Sequence, residues 1–145
     1  MISASSAWPP EGFREYRPAD RELFDYCVGP VYCTRSAPNG VKAFTLRVQP
    51  QVENLHGVVH GGALMTIVDS MMGYLLKEKL DGKSCATISL TADFLGAVRI
   101  GDLLSGEATL LRLGRMVAFT RSNIFRGDSL ILAASAKWAI TQGAR

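Results

Sequence analysis

The sequence predicts an α+β fold, in which an antiparallel sheet of about six strands curls around one long central helix. Three observations support this class. One stretch, from about Gly61 to Leu80, places apolar residues at helical spacing, and four strand-like segments follow it without a second helix. The turns between the last three segments are short, so those strands should be antiparallel neighbours.

The start of the chain is expected to precede the domain rather than to build it. Residues 1–26 form an N-terminal extension that is loose at its Ser- and Pro-rich beginning, with a candidate short helix from Pro18 to Tyr26. Residues 27–145 then form a single domain, because a chain of 145 residues can bury one hydrophobic core.

Alternation of apolar and polar residues, bounded by turn residues, locates the strands. The first two flank a turn at Asn39-Gly40, a pair that is typical of hairpins. The predicted strands are Val31–Arg35, Val41–Val48, Ala86–Leu95, Leu103–Arg112, Met116–Phe125 and Leu130–Thr141.

The predicted helix has two different faces. The wide apolar face consists of Leu64, Ile67, Val68, Met71, Met72, Leu75 and Leu76. The opposite stripe consists of Gly62, Thr66, Asp69, Ser70 and Gly73. A solvent-facing stripe normally carries long charged residues, and each Gly costs about 1 kcal/mol of helix propensity relative to Ala. We therefore expect this stripe to pack against another backbone or a ligand.

Composition and charge narrow the possible partners. The net charge is +3, and the second half of the chain carries an excess of basic residues, which suits a phosphorylated ligand. Basic residues do not cluster with aromatic ones, so nucleic acid is not expected. Since no apolar run approaches a membrane span and no secretory leader is evident, we expect a cytoplasmic protein without membrane contact. The cysteines, Cys27, Cys33 and Cys85, should be reduced thiols there.

The segment that leads into the helix carries the groups best suited to chemistry. A helix that begins at Gly61-Gly62 exposes backbone amides at its positive end, and such amides can polarise a carbonyl group. Asp69, two turns inside the helix, has no basic residue at helical spacing. A carboxylate without a cationic partner is a candidate general base or nucleophile.

The two histidines do not form a recognisable metal site. His56 and His60 lie in a Gly-containing loop rather than on a helix face, and no adjacent acid completes a metal-binding pattern. We therefore expect no metal ion and no other cofactor.

The spacing N-x-x-G-x-x-H-G-G that begins at Asn54, followed by Asp69, resembles the phenylacetate-pathway (PaaI-like) branch of the hotdog-fold acyl-CoA thioesterases, in the 4-hydroxybenzoyl-CoA thioesterase superfamily. The resemblance extends over residues 39–140, and Thr87 falls on the strand where the family carries a catalytic Ser or Thr. It implies a hotdog fold and hydrolysis of an acyl-CoA to the free acid and CoA.

The resemblance also implies a role for each residue. The Gly61 N–H would polarise the thioester carbonyl, and Asp69 would either activate water as a general base or attack as a nucleophile. Asn54 would help to hold the water or the carboxylate, His60 would orient the loop, and Thr87 would position water. In this family the Asn/Gly loop of one subunit faces the Asp of its partner. A homo-oligomer, a dimer or a tetramer, with active sites at the subunit interface is therefore implied.

Four residues are candidates for binding the CoA part of the substrate. Arg99, Arg112, Gly114 and Arg115 lie in or beside turns where similar enzymes hold the nucleotide end of CoA. Guanidinium groups suit this task because they bind phosphate in a bidentate manner. The chain departs from the family at residues 94–99, where relatives commonly show a Tyr-Leu-Arg-Pro-Ala type of stretch.

Two other functions fit the same residues. One is a hotdog dehydratase or hydratase, which also acts on acyl thioesters, and the other is a non-catalytic acyl-CoA-binding protein. The complete polar set favours catalysis, because a binding module has no need of Asp69. The acyl preference is left open, since Met65, Met72, Tyr74 and Phe94 suit an acyl pocket and an ordinary core equally well.

Overall fold

A computed structural model of the chain describes residues 7–16 and 23–142. Within these residues, one helix packs against one face of a seven-stranded antiparallel sheet. This arrangement confirms the predicted α+β class and the hotdog architecture. The helix is α1 (Gly61–Lys79), and the strands are β1 (Phe13–Glu15), β2 (Tyr32–Thr34), β3 (Val41–Arg47), β4 (Ser84–Phe94), β5 (Leu103–Leu113), β6 (Val117–Arg126) and β7 (Ser129–Thr141). Short 3-10 turns span Phe24–Val28, Pro38–Gly40 and Pro50–Val52.

The order of strands across the sheet is β1-β2-β3-β5-β6-β7-β4. Strands β5, β6 and β7 are antiparallel neighbours, as their short turns predict. Strand β4 follows the helix directly in sequence, yet it pairs with β7 and ends the sheet. The outer edge of β4 therefore pairs with no strand of the part of the chain that the structure describes.

The N-terminal part contains a strand that the sequence did not reveal. The three residues of β1 pair with β2, in the register Phe13↔Thr34, and a segment this short shows no period. Residues 18–22 of the predicted helix lie outside the described residues, and Phe24–Val28 forms a 3-10 turn. The division of the chain at residue 26 stays a prediction.

The predicted hairpin turn is present between β2 and β3. Asn39 and Gly40 have φ values of 55° and 70°, a left-handed conformation that Asn and Gly tolerate better than other residues. The two strands pair in the register Cys33↔Phe44. The turn residues thus have the backbone conformation for which such residues are typically used.

The hydrophobic core lies between α1 and the concave face of the sheet. All seven residues of the predicted apolar face of the helix are buried. Burial of each such side chain contributes about 1.5–3 kcal/mol. On the opposite stripe, a Cβ added to Gly73 would lie 3.3 Å from the Trp138 ring of β7. The small residue there is explained by close packing of the sheet on the helix.

A buried ion pair fastens the hairpin to the end of the helix. The fully buried Lys42 Nζ donates hydrogen bonds to Glu78 Oε1 and to the Thr34 carbonyl oxygen, both at 2.7 Å. It also lies 4.8 Å from the centre of the Tyr74 ring. These contacts compensate for the desolvation of the ammonium group. Tyr74 therefore belongs to this cluster, and Met72 to the buried core.

No helix among residues 7–16 and 23–142 combines the length and the apolar character that crossing a membrane requires.

The three cysteines are not paired in disulfides, which agrees with the expectation of free thiols.

Candidate active site

The start of α1 is capped by His60. The imidazole Nδ1 accepts a hydrogen bond of 2.9 Å from the Gly62 N–H, and the His60 N–H donates to the Val52 carbonyl oxygen at 2.8 Å. The first amides of a helix have no intrahelical acceptor, and the helix dipole makes this end positive. Since His60 takes the Gly62 amide, the Gly61 amide is the one that an incoming carbonyl oxygen can use.

The ring of Phe94 covers the first residue of the helix. A Cβ added to Gly61 would lie 3.3 Å from this ring, a tight contact. The Phe94 side chain is 49% exposed, so a ligand that approaches the Gly61 amide meets the same ring. Phe94 thus lies beside the proposed carbonyl site rather than in the core.

Asn54 shapes the loop that leads to the helix. Its side-chain Oδ1 accepts hydrogen bonds from the backbone N–H groups of His56, at 2.8 Å, and Val58, at 3.3 Å. Its own N–H donates to the Val58 carbonyl oxygen at 2.7 Å, and Gly57, with φ of 73°, completes the tight turn. Side-chain oxygens of Asn commonly stabilise turns in this way. In a single chain, Asn54 therefore fixes the loop.

Asp69 and Thr87 are in direct contact. The Thr87 hydroxyl donates a hydrogen bond of 2.8 Å to Asp69 Oδ1, which joins the middle of α1 to β4. Asp69 is half-buried and Thr87 is exposed. The structure therefore brings together two of the residues that the resemblance singled out, and the second carboxylate oxygen of Asp69 is left for another partner.

A cysteine lies near this carboxylate. Burial, and then the negative charge of Asp69, raise the pKa of the Cys85 thiol. A thiol with a raised pKa is protonated at neutral pH and is a poor nucleophile. Cys85 is thus not a candidate nucleophile, and Asp69 stays the predicted reactive group of this region.

Asp69 lines a cleft of about 240 Å³ that opens to solvent. Three apolar side chains, Phe24, Met65 and Leu90, contribute to it. Asp25 also lines the cleft, where its carboxylate accepts a hydrogen bond from the Ser70 hydroxyl at 2.6 Å. The sequence does not indicate that Phe24 and Asp25 line this cleft, because no motif or period connects Asp25 with Ser70, 45 residues further along the chain.

The predicted catalytic residues form two groups within one chain. Asn54, His60 and Gly61 lie at the start of α1, whereas Asp69 lies eight residues further along it. At about 1.5 Å per residue, this is a separation of about 12 Å along the helix axis. A carbonyl oxygen bound to the Gly61 amide is therefore out of reach of the Asp69 carboxylate of the same chain.

The arginines proposed for CoA binding also fall into two places. Arg99 lies in the β4–β5 loop beside the helix start, where the Val59 N–H donates to the Val98 carbonyl oxygen at 2.8 Å. Arg112 and Arg115 lie at the opposite end of β5, about 30 Å away at about 3.4 Å per residue. All three arginines are exposed, and one chain does not bring them together.

Gly114 is explained by the turn between β5 and β6. Its N–H donates to the Val117 carbonyl oxygen at 2.9 Å, and an added Cβ would lie 2.8 Å from that same oxygen. A side chain there would force the turn to shift.

Within the described ranges, no three His, Cys, Asp or Glu residues are arranged to hold a metal ion.

Comparison with known proteins identifies relatives over most of the chain. The family model described as "Thioesterase superfamily" matches residues 56–133, more than half of the sequence. A protein of Pseudomonas aeruginosa that bears an esterase name is 31% identical over 128 residues, which cover 87% of this chain and 92% of that relative.

Solved structures share the fold. A phenylacetic acid degradation-related protein of Ralstonia eutropha superposes with a TM-score of 0.66 at 30% identity, covering 70% of this chain and 77% of that one. A hypothetical thioesterase of Streptococcus pneumoniae, crystallised with coenzyme A, gives a TM-score of 0.70 at 20% identity, with 79% and 91% covered. At that identity the second likeness concerns the fold alone.

Proposed function

The chain belongs to the thioesterase superfamily and is a thioester hydrolase, and from this premise we propose that it hydrolyses acyl-CoA at an active site shared by two copies of the chain. The observation that carries the proposal is the separation of about 12 Å between the Gly61 amide and the Asp69 carboxylate. The coenzyme A bound to the Streptococcus pneumoniae structure supports CoA as the thiol part of the substrate.

The Gly61 amide would act on the thioester carbonyl. Its N–H, at the positive end of α1, donates a hydrogen bond to the carbonyl oxygen as negative charge develops there. An amide of this kind typically contributes about 3–4 kcal/mol to the stabilisation of such a transition state. Because His60 holds the adjacent Gly62 amide, the end of the helix keeps its shape while the oxyanion forms.

The Asp69 carboxylate of the other copy would drive the attack. As a general base, it takes a proton from water while the water oxygen bonds to the carbonyl carbon. As a nucleophile, it forms an anhydride that water then cleaves. In both cases CoA leaves as the thiolate and the products are the free acid and CoA. Thr87, which bonds to one carboxylate oxygen, fixes the direction in which the other oxygen points.

The edge of the sheet supports an assembly that would complete this site. Strand β4 has eleven residues, its outer edge pairs with no strand of the described chain, and Ile88 on it is 56% exposed. A long edge strand with exposed apolar residues is a template for pairing with another chain. We infer that two copies pair antiparallel along β4.

Such pairing would join the two groups of catalytic residues. The start of β4 carries Thr87, which contacts Asp69. The end of β4 carries Phe94, which covers Gly61. Antiparallel pairing about a two-fold axis places the start of one strand beside the end of the other. The carboxylate of each chain then faces the helix start of its partner.

The same pairing offers a site for the phosphates of CoA. Arg99 lies near Gly61, at the start of α1. Arg115 lies at the opposite end of the sheet, where β4 begins. This is shown by its neighbour Met116, whose carbonyl oxygen accepts a hydrogen bond from Ile140, the residue that pairs with Cys85 of β4. Two copies would bring these ends together. Arginines from both chains then surround one nucleotide, which suits bidentate binding of phosphate.

Substitution of Asp69 tests the activity. Release of free thiol from a panel of acyl-CoA substrates should fall about 10²–10⁴-fold in Asp69→Ala, the usual contribution of a general base, while CoA binding is largely kept. Asp128→Asn, which removes an exposed carboxylate in the β6–β7 turn, serves as the control and should be as active as the wild type. Unchanged turnover in Asp69→Ala would reject the mechanism, and product without free thiol would indicate a hydratase.

A further inference from the structure

We propose that the Phe24–Val28 turn, which precedes the region matched by the family model, selects the acyl group: Phe24 limits its length, and Asp25 excludes acyl groups that end in an anion. The proposal rests on the proposed acyl-CoA hydrolysis. It assigns a function to a segment that lies outside the family's own region of similarity.

Both residues reach the site from the N-terminal part of the chain. Phe24 and Asp25 line the cleft that Asp69 also lines. Phe24 is 71% exposed, so its ring is accessible to a ligand that enters the cleft. Its position at the rim of the cleft supports contact with the end of a bound acyl chain.

The turn is fixed to the catalytic helix. Asp25 Oδ1 accepts a hydrogen bond of 2.6 Å from the hydroxyl of Ser70, the residue that follows Asp69, and Oδ2 accepts one of 3.1 Å from the Tyr16 hydroxyl. Tyr16 packs against Tyr74 of α1, with ring centres 4.7 Å apart. Because Asp25 is held from two sides, the turn has a defined position beside the cleft, and with it the backbone of Phe24.

The lining of the cleft favours a hydrocarbon. The cleft is open to solvent in one chain, so the Phe24 ring, and not a closed cavity, would limit the length of a bound chain. Met65 and Leu90 provide apolar contacts beside the Phe24 ring. A long acyl chain would have to displace this ring, whereas a short one would not.

The charge of the cleft argues against acyl groups with a terminal carboxylate. Asp69 and Asp25 both line this small space, and the described lining includes no basic residue. Two like charges close to each other near a protein surface repel, and the repulsion is stronger than in bulk water. A dicarboxylic acyl chain that ends near Asp25 would therefore be rejected, while a neutral chain of equal length would enter.

The experiment compares butyryl-, octanoyl-, dodecanoyl- and glutaryl-CoA by thiol release, as kcat/KM. Phe24→Ala should raise the ratio of dodecanoyl to butyryl hydrolysis about tenfold or more, the effect that a few methylenes have in a hydrophobic pocket. Phe24→Trp should lower the octanoyl to butyryl ratio, since a larger ring shortens the pocket. Leu23→Ala is the matched control, because Leu23 is an exposed apolar neighbour outside the cleft lining.

The charge is tested with a second pair of variants. Asp25→Asn should raise the ratio of glutaryl to butyryl hydrolysis about tenfold, as expected when about 1.4 kcal/mol of repulsion is removed. Tyr16→Phe removes the hydrogen bond to Asp25 but keeps its charge, so this ratio should not change.

The outcomes separate the two proposals. A length profile of Phe24→Ala that equals that of Leu23→Ala would overturn the role of Phe24, and an unchanged glutaryl ratio in Asp25→Asn would overturn that of Asp25. In both cases hydrolysis of butyryl-CoA by the wild type would leave the proposed activity intact. Failure of the wild type to release thiol from every substrate would instead reject the proposed function itself.

Discussion

At the scale of single residues, each residue of the sequence His60-Gly61-Gly62 makes a different contact at the start of the helix. His60 accepts a hydrogen bond from the second glycine amide, and the first glycine leaves room for the Phe94 ring. Packing thus favours glycine at residue 61, while the proposed chemistry requires only its N–H. These two requirements can be separated by substitution.

Gly61→Pro is predicted to abolish most of the hydrolysis. Proline is well tolerated at the first position of a helix, and the extended backbone of His60, with ψ of 132°, is suitable before it. The variant therefore folds but lacks the N–H, and kcat should fall about 10²–10³-fold. Gly61→Ala adds a carbon but keeps the N–H, so its smaller loss measures the contact with Phe94 alone. Equal losses in the two variants would contradict a role for the amide.

The sequence identifies the motif residues as candidates, but it does not indicate the residues of the N-terminal turn that line the cleft. Asn54, Gly61 and Asp69 stand at fixed spacings in one continuous segment, which is enough to recognise them. Asp25 reaches the cleft only because Ser70 and Tyr16 hold its turn against the helix. Contacts of this kind depend on tertiary packing, which leaves no local pattern.

At the scale of elements, hydrogen bonds join the N-terminal part to the rest of the chain. Strand β1 pairs with β2, and Arg14 of β1 donates a hydrogen bond of 3.0 Å to the Tyr74 hydroxyl on α1. Tyr16 follows β1 directly and bonds to Asp25. The hydroxyl of Tyr16 thus links β1 to the turn that lines the cleft.

The stability of this link should depend on pH. Burial, and then the charge of Asp25, raise the pKa of Tyr16 above its ordinary value of 10.0. The Tyr16 hydroxyl therefore holds its proton more tightly in the folded chain than in the unfolded chain. The protonated hydroxyl contributes fully to the free energy of unfolding below pH 10, and this contribution is lost as the pH rises towards the raised pKa. Above pH 10, the free energy of unfolding should fall less steeply in Tyr16→Phe than in the wild type.

The measurement is urea denaturation at several alkaline pH values. Tyr32→Phe, which removes the hydroxyl of a tyrosine on β2, is the matched control and should keep the steep wild-type slope. Identical slopes for Tyr16→Phe and the wild type would contradict the proposed hydrogen bond in solution.

The elements themselves differ in how well the sequence predicts them. Helix α1 has seven apolar residues at helical spacing, and all of them are buried as expected. Strand β1 has three residues, too few to establish a period. The position of β4 at the edge of the sheet was not predicted either, because the order of elements in the chain does not determine their order in the sheet.

At the scale of the whole molecule, one chain supplies every proposed catalytic group but does not bring them together. The helix places Gly61 and Asp69 about 12 Å apart, and the same helix is rigid, so no local motion closes this gap. The exposed edge of β4 offers the means of joining two copies. The proposed mechanism therefore requires that each active site takes its amide from one chain and its carboxylate from the other.

Mixing two inactive variants tests this requirement most directly. Asp69→Ala and Gly61→Pro chains are purified separately, unfolded, and refolded together, and thiol release from butyryl-CoA is then measured. In a two-fold dimer half of the assemblies are mixed, and each mixed dimer contains one site with both groups intact, so activity should recover to about a quarter of the wild-type value. Each variant refolded alone should stay inactive. If the mixture is as inactive as its two components, the site does not lie between chains, and the account is wrong.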